Sequence, residues 1–163
     1  MNADPVDAIL AQWQKERPDL DVSAMGVVGR IGRLIKHLDR SLQETFSEFG
    51  LQAGEFDVLA TLRRSGQPYQ LSPTKLFNTL MITSGTMTHR IDRLEQANLV
   101  QRIPDPNDRR GTLIQLTQEG FAVIEKAVAE HVATMDRLLN SLEESERQAL
   151  AQLLRKLLLS LEE

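Results

Sequence analysis

Two adjacent arginines, Arg109 and Arg110, lie in a polar segment, DPNDRRG, that spans residues 105–111. The proline and asparagine favour a turn, so the arginines are expected at the tip of a β-hairpin whose loop has about seven residues. Guanidinium groups at such a tip bind phosphate oxygens and enter narrow, electronegative grooves of DNA. Asp108 is expected to hold Arg110 in position through a charge-assisted pair. The segment therefore predicts contact with a polyanion.

A second polar stretch, TSGTMTHRIDRLEQANL, occupies residues 83–99. Met87, Ile91 and Leu94 recur at helical spacing and form one narrow apolar stripe. Serine, threonine, histidine and arginine side chains occupy the other faces of the predicted helix. A helix buried in a core would not carry so many polar groups, so this helix is expected to lie on the protein and face a polar partner.

The charge of the 163-residue chain is unevenly distributed. The net charge is −4, yet residues 51–117 carry eight Lys and Arg against six Asp and Glu, while residues 1–50 and 118–163 are both net acidic. A basic middle between acidic ends is typical of a polyanion-binding module flanked by parts with another role.

The composition also excludes several classes of protein. Without cysteine there is no disulfide and no zinc–thiolate site, and His37, His89 and His131 lie too far apart for a metal-binding motif. No nucleophile–base pair or phosphate-binding glycine loop indicates an enzyme, and nothing indicates a cofactor. The sequence contains no apolar run that could span a membrane and no signal-peptide pattern, which predicts a cytoplasmic protein.

The apolar pattern predicts the elements that position these groups. Spacings of three and four predict helices over roughly 23–49 and 53–65, and from a cap at Thr117 to about 140. Ser72 is expected to cap a short helix, and either Thr83 or Ser84 the next one.

Two further elements complete the predicted set. Alternating residues in LVQRI and TLIQL predict the two strands of the hairpin. A last helix begins within 141–146, where Ser141 and Ser145 are both candidate caps, and runs to the end of the chain.

Three short helices followed by a hairpin define the winged helix-turn-helix pattern, here a mainly α fold with a small β-hairpin wing and long helices at both ends. The segment from Asp108 to Thr117, DRRGTLIQLT, and Gly120 resemble the wing signature of the MarR-type transcriptional regulators. The resemblance covers about residues 28–160. It implies a DNA-binding repressor without enzymatic activity.

On this basis the expected DNA-binding residues belong to the two helices and the wing. In the helices they are Ser72, Thr74, Lys75, Ser84, Gly85, Thr86, Thr88, His89 and Arg93, and in the wing they are Asp108, Arg109 and Arg110.

The resemblance also implies a homodimer that reads an inverted repeat in double-stranded DNA. Residues 51–117 would form the DNA-binding lobe. Residues 1–50, an N-terminal extension with the first long helix, and residues 118–163 would form the dimerisation region. A leucine-dense stretch, ALAQLLRKLLLSL, is explained either by a core shared between two chains or by a helical bundle within one chain.

A narrower resemblance, to the urate-responsive, PecS-like branch of this family, concerns an effector. It implies that Trp13, Asp57, Arg90 and Arg102 bind a small aromatic or heteroaromatic anion, of the urate or phenolic acid type. A stacking indole and arginine forks suit such a ligand.

Other interpretations of these residues stand beside this one. Asp57 can simply pair with an arginine, Arg90 can contact DNA, and Trp13 can anchor an N-terminal helix. An alternative for the whole chain is a winged-helix protein-interaction module that does not bind DNA.

Overall fold

The computed structural model describes residues 3–81 and 83–162 and divides the chain into two compact units, residues 1–41 and 42–163. In the first unit, helix α1 (Pro5–Glu16) begins with a capping box in which Asp4 and Asp7 bind each other's backbone N–H groups. Helix α2 (Ser23–Ser47) follows, and its Arg30 binds Asp4 at 2.8 Å and Asp7 at 2.7 Å. This arginine fork fixes the start of α1 against α2.

The second unit contains the last turns of α2 and all remaining elements. Its helices are α3 (Ala53–Arg64), α4 (Pro73–Leu80), α5 (Ser84–Gln96), α6 (Gln118–Leu138) and α7 (Glu144–Glu162). Its strands are β1 (Gln70–Leu71), β2 (Val100–Asp105) and β3 (Asp108–Leu116). The helices, the caps at Ser72, Thr83 and Thr117, and the hairpin confirm the predicted fold class.

The small sheet differs from the prediction in two respects. It has three antiparallel strands in the order β1-β3-β2, because Gln70 and Leu71, which were not expected to form a strand, pair with Gln115 and Ile114. The predicted seven-residue loop is also wrong. Residues 106 and 107 alone connect the two strands, and the arginines belong to β3.

The core of the second unit lies between α3, α4, α5, α6 and the sheet. Leu59, Leu62, Leu76, Ile114 and Ile124 are fully buried there. The first turn of α6 approaches the segment before β2 so closely that a Cβ at Gly120 would overlap the carbonyl oxygen of Leu99. The wing is thereby fixed to the helical core at its base.

Helix α7 makes a contrast with this core, since none of its residues is buried. Six of its leucines are between 39% and 76% exposed, namely Leu150, Leu153, Leu154, Leu157, Leu158 and Leu161. The interpretation of these leucines as the core of a bundle within one chain is therefore wrong. No helix within residues 3–81 and 83–162 is long and apolar enough to cross a membrane.

Candidate nucleic-acid interface and effector site

Helix α4 begins in the way its sequence predicts. The Ser72 hydroxyl accepts a hydrogen bond from the backbone N–H of Lys75 at 3.2 Å, and Pro73 occupies the first turn. Leu76 anchors the helix in the core, whereas Thr74 and Lys75 are exposed. The polar side chains at the start of α4 therefore face solvent.

Helix α5 separates its apolar stripe from its polar faces. Met87, Ile91 and Leu94 are at most 2% exposed and pack into the core. The outward positions are exposed and comprise Gly85, Thr86, Thr88, His89 and Arg93. Ser84 begins the helix, but its side chain lies outside the described part of the structure. An exposed polar face on a helix held by three buried side chains is the geometry of a recognition helix.

Arg93 has a partner that sequence reasoning missed. Its Nε lies 2.7 Å from Oε1 of Glu55 on α3, and the side chain of Glu55 is only 6% exposed, against 44% for Arg93. The other oxygen of Glu55 accepts the backbone N–H of Gln52 at 2.8 Å. Arg93 therefore compensates a buried carboxylate and links α5 to the start of α3.

The wing arginines project from an irregular part of β3. Asp105 pairs with Asp108 and Pro104 with Thr112, so the residues between them bulge out of the ladder. The expected side-chain pair between Asp108 and Arg110 is not what forms, because the Asp108 carboxylate accepts the backbone N–H of Arg110 at 2.9 Å.

This arrangement leaves the guanidinium groups of the wing available. Both Arg109 and Arg110 are exposed, and neither forms an ion pair with any described residue. The backbone bond from Asp108 shapes the bulge, while the arginine side chains remain free for another anion.

Two of the four expected effector residues lie close together. Desolvation by surrounding atoms raises the pKa of Asp57 on α3, and the charges of Arg90 on α5 and of Arg64 oppose this shift. The guanidinium of Arg90 rests against the backbone of Gly54, where an added Cβ would overlap it. A carboxyl group and a guanidinium therefore share one region between α3 and the recognition helix.

The other two expected effector residues are placed differently. Arg102 on β2 binds two carboxylates of α5, Asp92 and Glu95, with its Nη2 2.5 Å from Asp92. Trp13 belongs to α1 in the first unit and is exposed. The structure brings Asp57 and Arg90 together, and it shows Arg102 as a link between the wing strand and the recognition helix.

A histidine that sequence reasoning left unassigned completes this region. His131 on α6 stacks on Phe46 at 5.4 Å and lies 4.9 Å from the ring of Phe56, measured between centroids. Its Nδ1 is buried without a hydrogen-bond partner in the described structure. Burial lowers the pKa of His131, while the charge of Asp57 acts in the opposite direction.

These elements define a winged helix-turn-helix protein, and comparison with known proteins gives the family. A model of the MarR family matches residues 51–112. The chain is 49% identical over 149 residues to the HTH-type transcriptional regulator PecS of Dickeya dadantii, covering 91% of this chain and 90% of that protein. The chain belongs to the MarR family and is a DNA-binding transcriptional regulator, a class of protein that is not enzymatic.

Solved structures support the same assignment. A mutant MarR from Escherichia coli in complex with operator DNA has a TM-score of 0.71 at 30% identity, covering 90% of this chain and 97% of that one. BpsR from Bordetella bronchiseptica, whose DNA binding is regulated by 6-hydroxynicotinic acid, has a TM-score of 0.70 at 30% identity, with coverages of 80% and 91%. The DNA-free interaction module is therefore not supported.

Proposed function

We propose that the protein is a repressor that binds an inverted-repeat operator as a homodimer and is released by a small aromatic or heteroaromatic anion. Residues 51–117 form the DNA-binding lobe, and residues 1–50 and 118–163 form the dimerisation region. The observation that supports the proposal is the exposed polar face of α5, which three buried side chains hold outward, together with the exposed arginines of the wing.

The DNA contacts divide into two kinds. The first turns of α5 present Gly85, Thr86 and His89 to base edges in the major groove, as the N-terminal part of a recognition helix does. Lys75 and the wing arginine Arg110 reach phosphates, which fix register without reading sequence. The remaining expected contacts are Ser72, Thr74, Ser84, Thr88, Arg93 and Arg109, and Asp108 contributes by holding the backbone N–H of Arg110 in the wing.

The wing contribution is tested by Arg110→Ala. A purified duplex selected from a random pool serves as probe, and affinity is measured by fluorescence anisotropy over a range of salt. Removal of one phosphate contact is expected to weaken binding at low salt and to reduce the log–log salt slope by about 1. Lys126→Ala on α6, where the lysine is exposed and unpaired in the described structure, is the charge-matched control. Unchanged affinity and slope in Arg110→Ala would refute the role of the wing.

The homodimer is supported by the exposed apolar surface of the two flanking regions. Leu157 and Leu158 on α7 are 44% and 54% exposed, and Leu34 and Ile35 on α2 are similarly open. Exposed leucines that follow one another along a helix, as on α7, mark an interaction site in a protein that otherwise has a packed core. Sedimentation equilibrium is expected to give twice the chain mass, and Leu158→Glu to shift it towards the monomer.

The effector site is proposed at Asp57 and Arg90, with Trp13 and Arg102 as its other members. An arginine fork suits a carboxylate or a urate anion, and a carboxyl group accepts the ring N–H groups of a heterocycle. The regulation of BpsR by 6-hydroxynicotinic acid, an anionic heteroaromatic ligand, supports this ligand class for a chain with 30% identity.

Release follows if the anion binds the DNA-free arrangement more tightly than the DNA-bound one. Arg90 and the carboxylates that hold Arg102 all lie on the recognition helix. A ligand that draws these arginines towards itself changes the geometry of α5 relative to α3 and the wing. The free energy of ligand binding is thereby coupled to the orientation of the helix that reads DNA.

The effector proposal is tested with urate, 6-hydroxynicotinate and 4-hydroxybenzoate. Each is titrated against the protein–DNA complex, and Trp13, the single tryptophan, reports binding by fluorescence with inner-filter correction. Saturable quenching with release of DNA is expected for at least one ligand, and Asp57→Ala is expected to abolish both. Quenching that persists in Asp57→Ala would place the ligand elsewhere, and no response to any of the three would refute this ligand class.

A further inference from the structure

A cluster of four basic side chains lies on α2, and none of the four is among the residues assigned to DNA or effector. Arg33, Lys36, His37 and Arg40 line one depression of about 360 Å³ in the first unit. Their spacings of three, four and seven place all four on one face of the helix, one above another. The depression is therefore a concave surface whose described lining is entirely basic.

Two members of the cluster, Arg33 and Lys36, differ from the ion-paired arginine one turn earlier. Arg30 binds two carboxylates, those of Asp4 and Asp7, which satisfy its guanidinium within the unit. In residues 3–81 and 83–162, neither Arg33 nor Lys36 has an ion pair with a carboxylate. The same helix thus shows a saturated arginine beside Arg33 and Lys36, which no carboxylate of the described residues neutralises.

Like charges three residues apart repel one another and destabilise a helix, so Arg33 and Lys36 have no explanation in the stability of α2. Residues 33–40 contain a single acidic residue, Asp39, in a chain whose net charge is −4. An external anion that bridges several of these groups removes the repulsion. The size of the depression matches that of a small ligand site.

We propose that Arg33, Lys36, His37 and Arg40 form a binding site for a ligand with several phosphate groups, and none of these residues belongs to the proposed effector site. Arginine guanidinium groups bind phosphate oxygens in a bidentate manner, and lysine adds a compact positive charge. The phosphates belong either to a free polyphosphorylated metabolite or to a DNA backbone, and both sources present the same chemistry to the cluster.

The test compares the wild-type chain with the double variant Arg33→Gln/Lys36→Gln. Both side chains are exposed on α2, so the variant is expected to keep the helical circular dichroism and the melting temperature. The control, Lys15→Gln/Lys126→Gln, removes the same two charges from separate exposed positions. Differences between the two variants therefore report location rather than net charge.

Two probes distinguish the sources of phosphate. Inorganic tripolyphosphate is titrated by calorimetry, and a free ligand is indicated if the cluster variant loses affinity at least tenfold while the control binds like wild type. A long mixed-sequence duplex is titrated over a range of salt concentrations. A DNA contact is indicated if the slope of log affinity against log salt concentration falls in magnitude by about 2 in the cluster variant alone.

Either result supports a phosphate site on α2. If the cluster variant matches the control with both probes, the proposal is wrong. Neither outcome depends on release of DNA by an aromatic anion. These titrations therefore do not test the proposed effector mechanism, which has its own experiment.

Discussion

The ion pair between Arg93 and Glu55 predicts an asymmetry between two substitutions that remove one partner each. The Glu55 side chain is 6% exposed and that of Arg93 44% exposed. Glu55→Gln leaves an arginine that water can solvate, and the new amide oxygen still accepts the Gln52 N–H. We expect a loss of about 1 kcal/mol in the free energy of unfolding, close to that of one hydrogen bond.

The reciprocal substitution, Arg93→Met, has a larger expected effect. It leaves a charged carboxylate in the interior with the N–H of Gln52 as its one remaining hydrogen-bond donor in the described structure. Breaking a buried pair in this direction costs about 3 kcal/mol, because the desolvated charge is no longer compensated. The double variant is expected to be less destabilised than the sum of the single variants, with a coupling energy of about 2 kcal/mol.

The assay is urea unfolding followed by far-ultraviolet circular dichroism at one protein concentration, since the stability of a dimer depends on concentration. Arg110→Met removes an exposed, unpaired arginine and serves as the control, with an expected change within about 0.5 kcal/mol. Equal effects of Glu55→Gln and Arg93→Met, or strict additivity in the double variant, would refute the buried pair.

Three further predictions follow from other contacts. Gly120→Ala is expected to destabilise the chain by about 2 kcal/mol in thermal melts because its Cβ overlaps a backbone carbonyl, whereas Gly85→Ala, with open space around it, has no such effect. Gly54→Ala is expected to keep the fold but displace the flexible guanidinium of Arg90, which weakens release of DNA by the effector in anisotropy titrations. Burial lowers the pKa of His131, so the unfolded chain takes up a proton below about pH 6.5 that the folded chain resists. Wild type is therefore expected to lose more stability than His131→Leu between about pH 8 and pH 5.5 in urea unfolding, and equal losses would contradict this.

The sequence predicts best those features that are set by local chemistry. The stripe of Met87, Ile91 and Leu94 follows from helical spacing and is buried as expected. Ser72 and Thr83 cap their helices because a hydroxyl at that position accepts a free backbone N–H, whatever the rest of the fold.

Features that depend on distant residues were not predictable in this way. The two-residue strand β1 exists because β3 offers a free edge, and nothing in its own sequence distinguishes it from a connector. The bulge that carries Arg110 depends on the register between β2 and β3, which the turn residues alone do not determine.

The candidate site also combines features that local sequence predicts with features that depend on long-range packing. The capping box between Gln52 and Glu55 has a readable sequence spacing, but the pairing of Glu55 with Arg93 requires the packing of α3 against α5. His131 became notable only because Phe46 and Phe56, from two other helices, pack against its ring. Long-range packing, rather than residue type, determines these environments.

In the proposed function, two copies of the exposed α5 face and wing read a symmetric DNA site. The most direct measurement is selection of binding sites for the purified full chain from a random pool of duplexes, followed by sequencing. We expect enrichment of an inverted repeat with half-site centres about 10 base pairs, or one helical turn, apart. Enrichment should be lost when Thr86 and His89 are both replaced by alanine. No enrichment with wild type, or a single half-site without symmetry, would contradict the account.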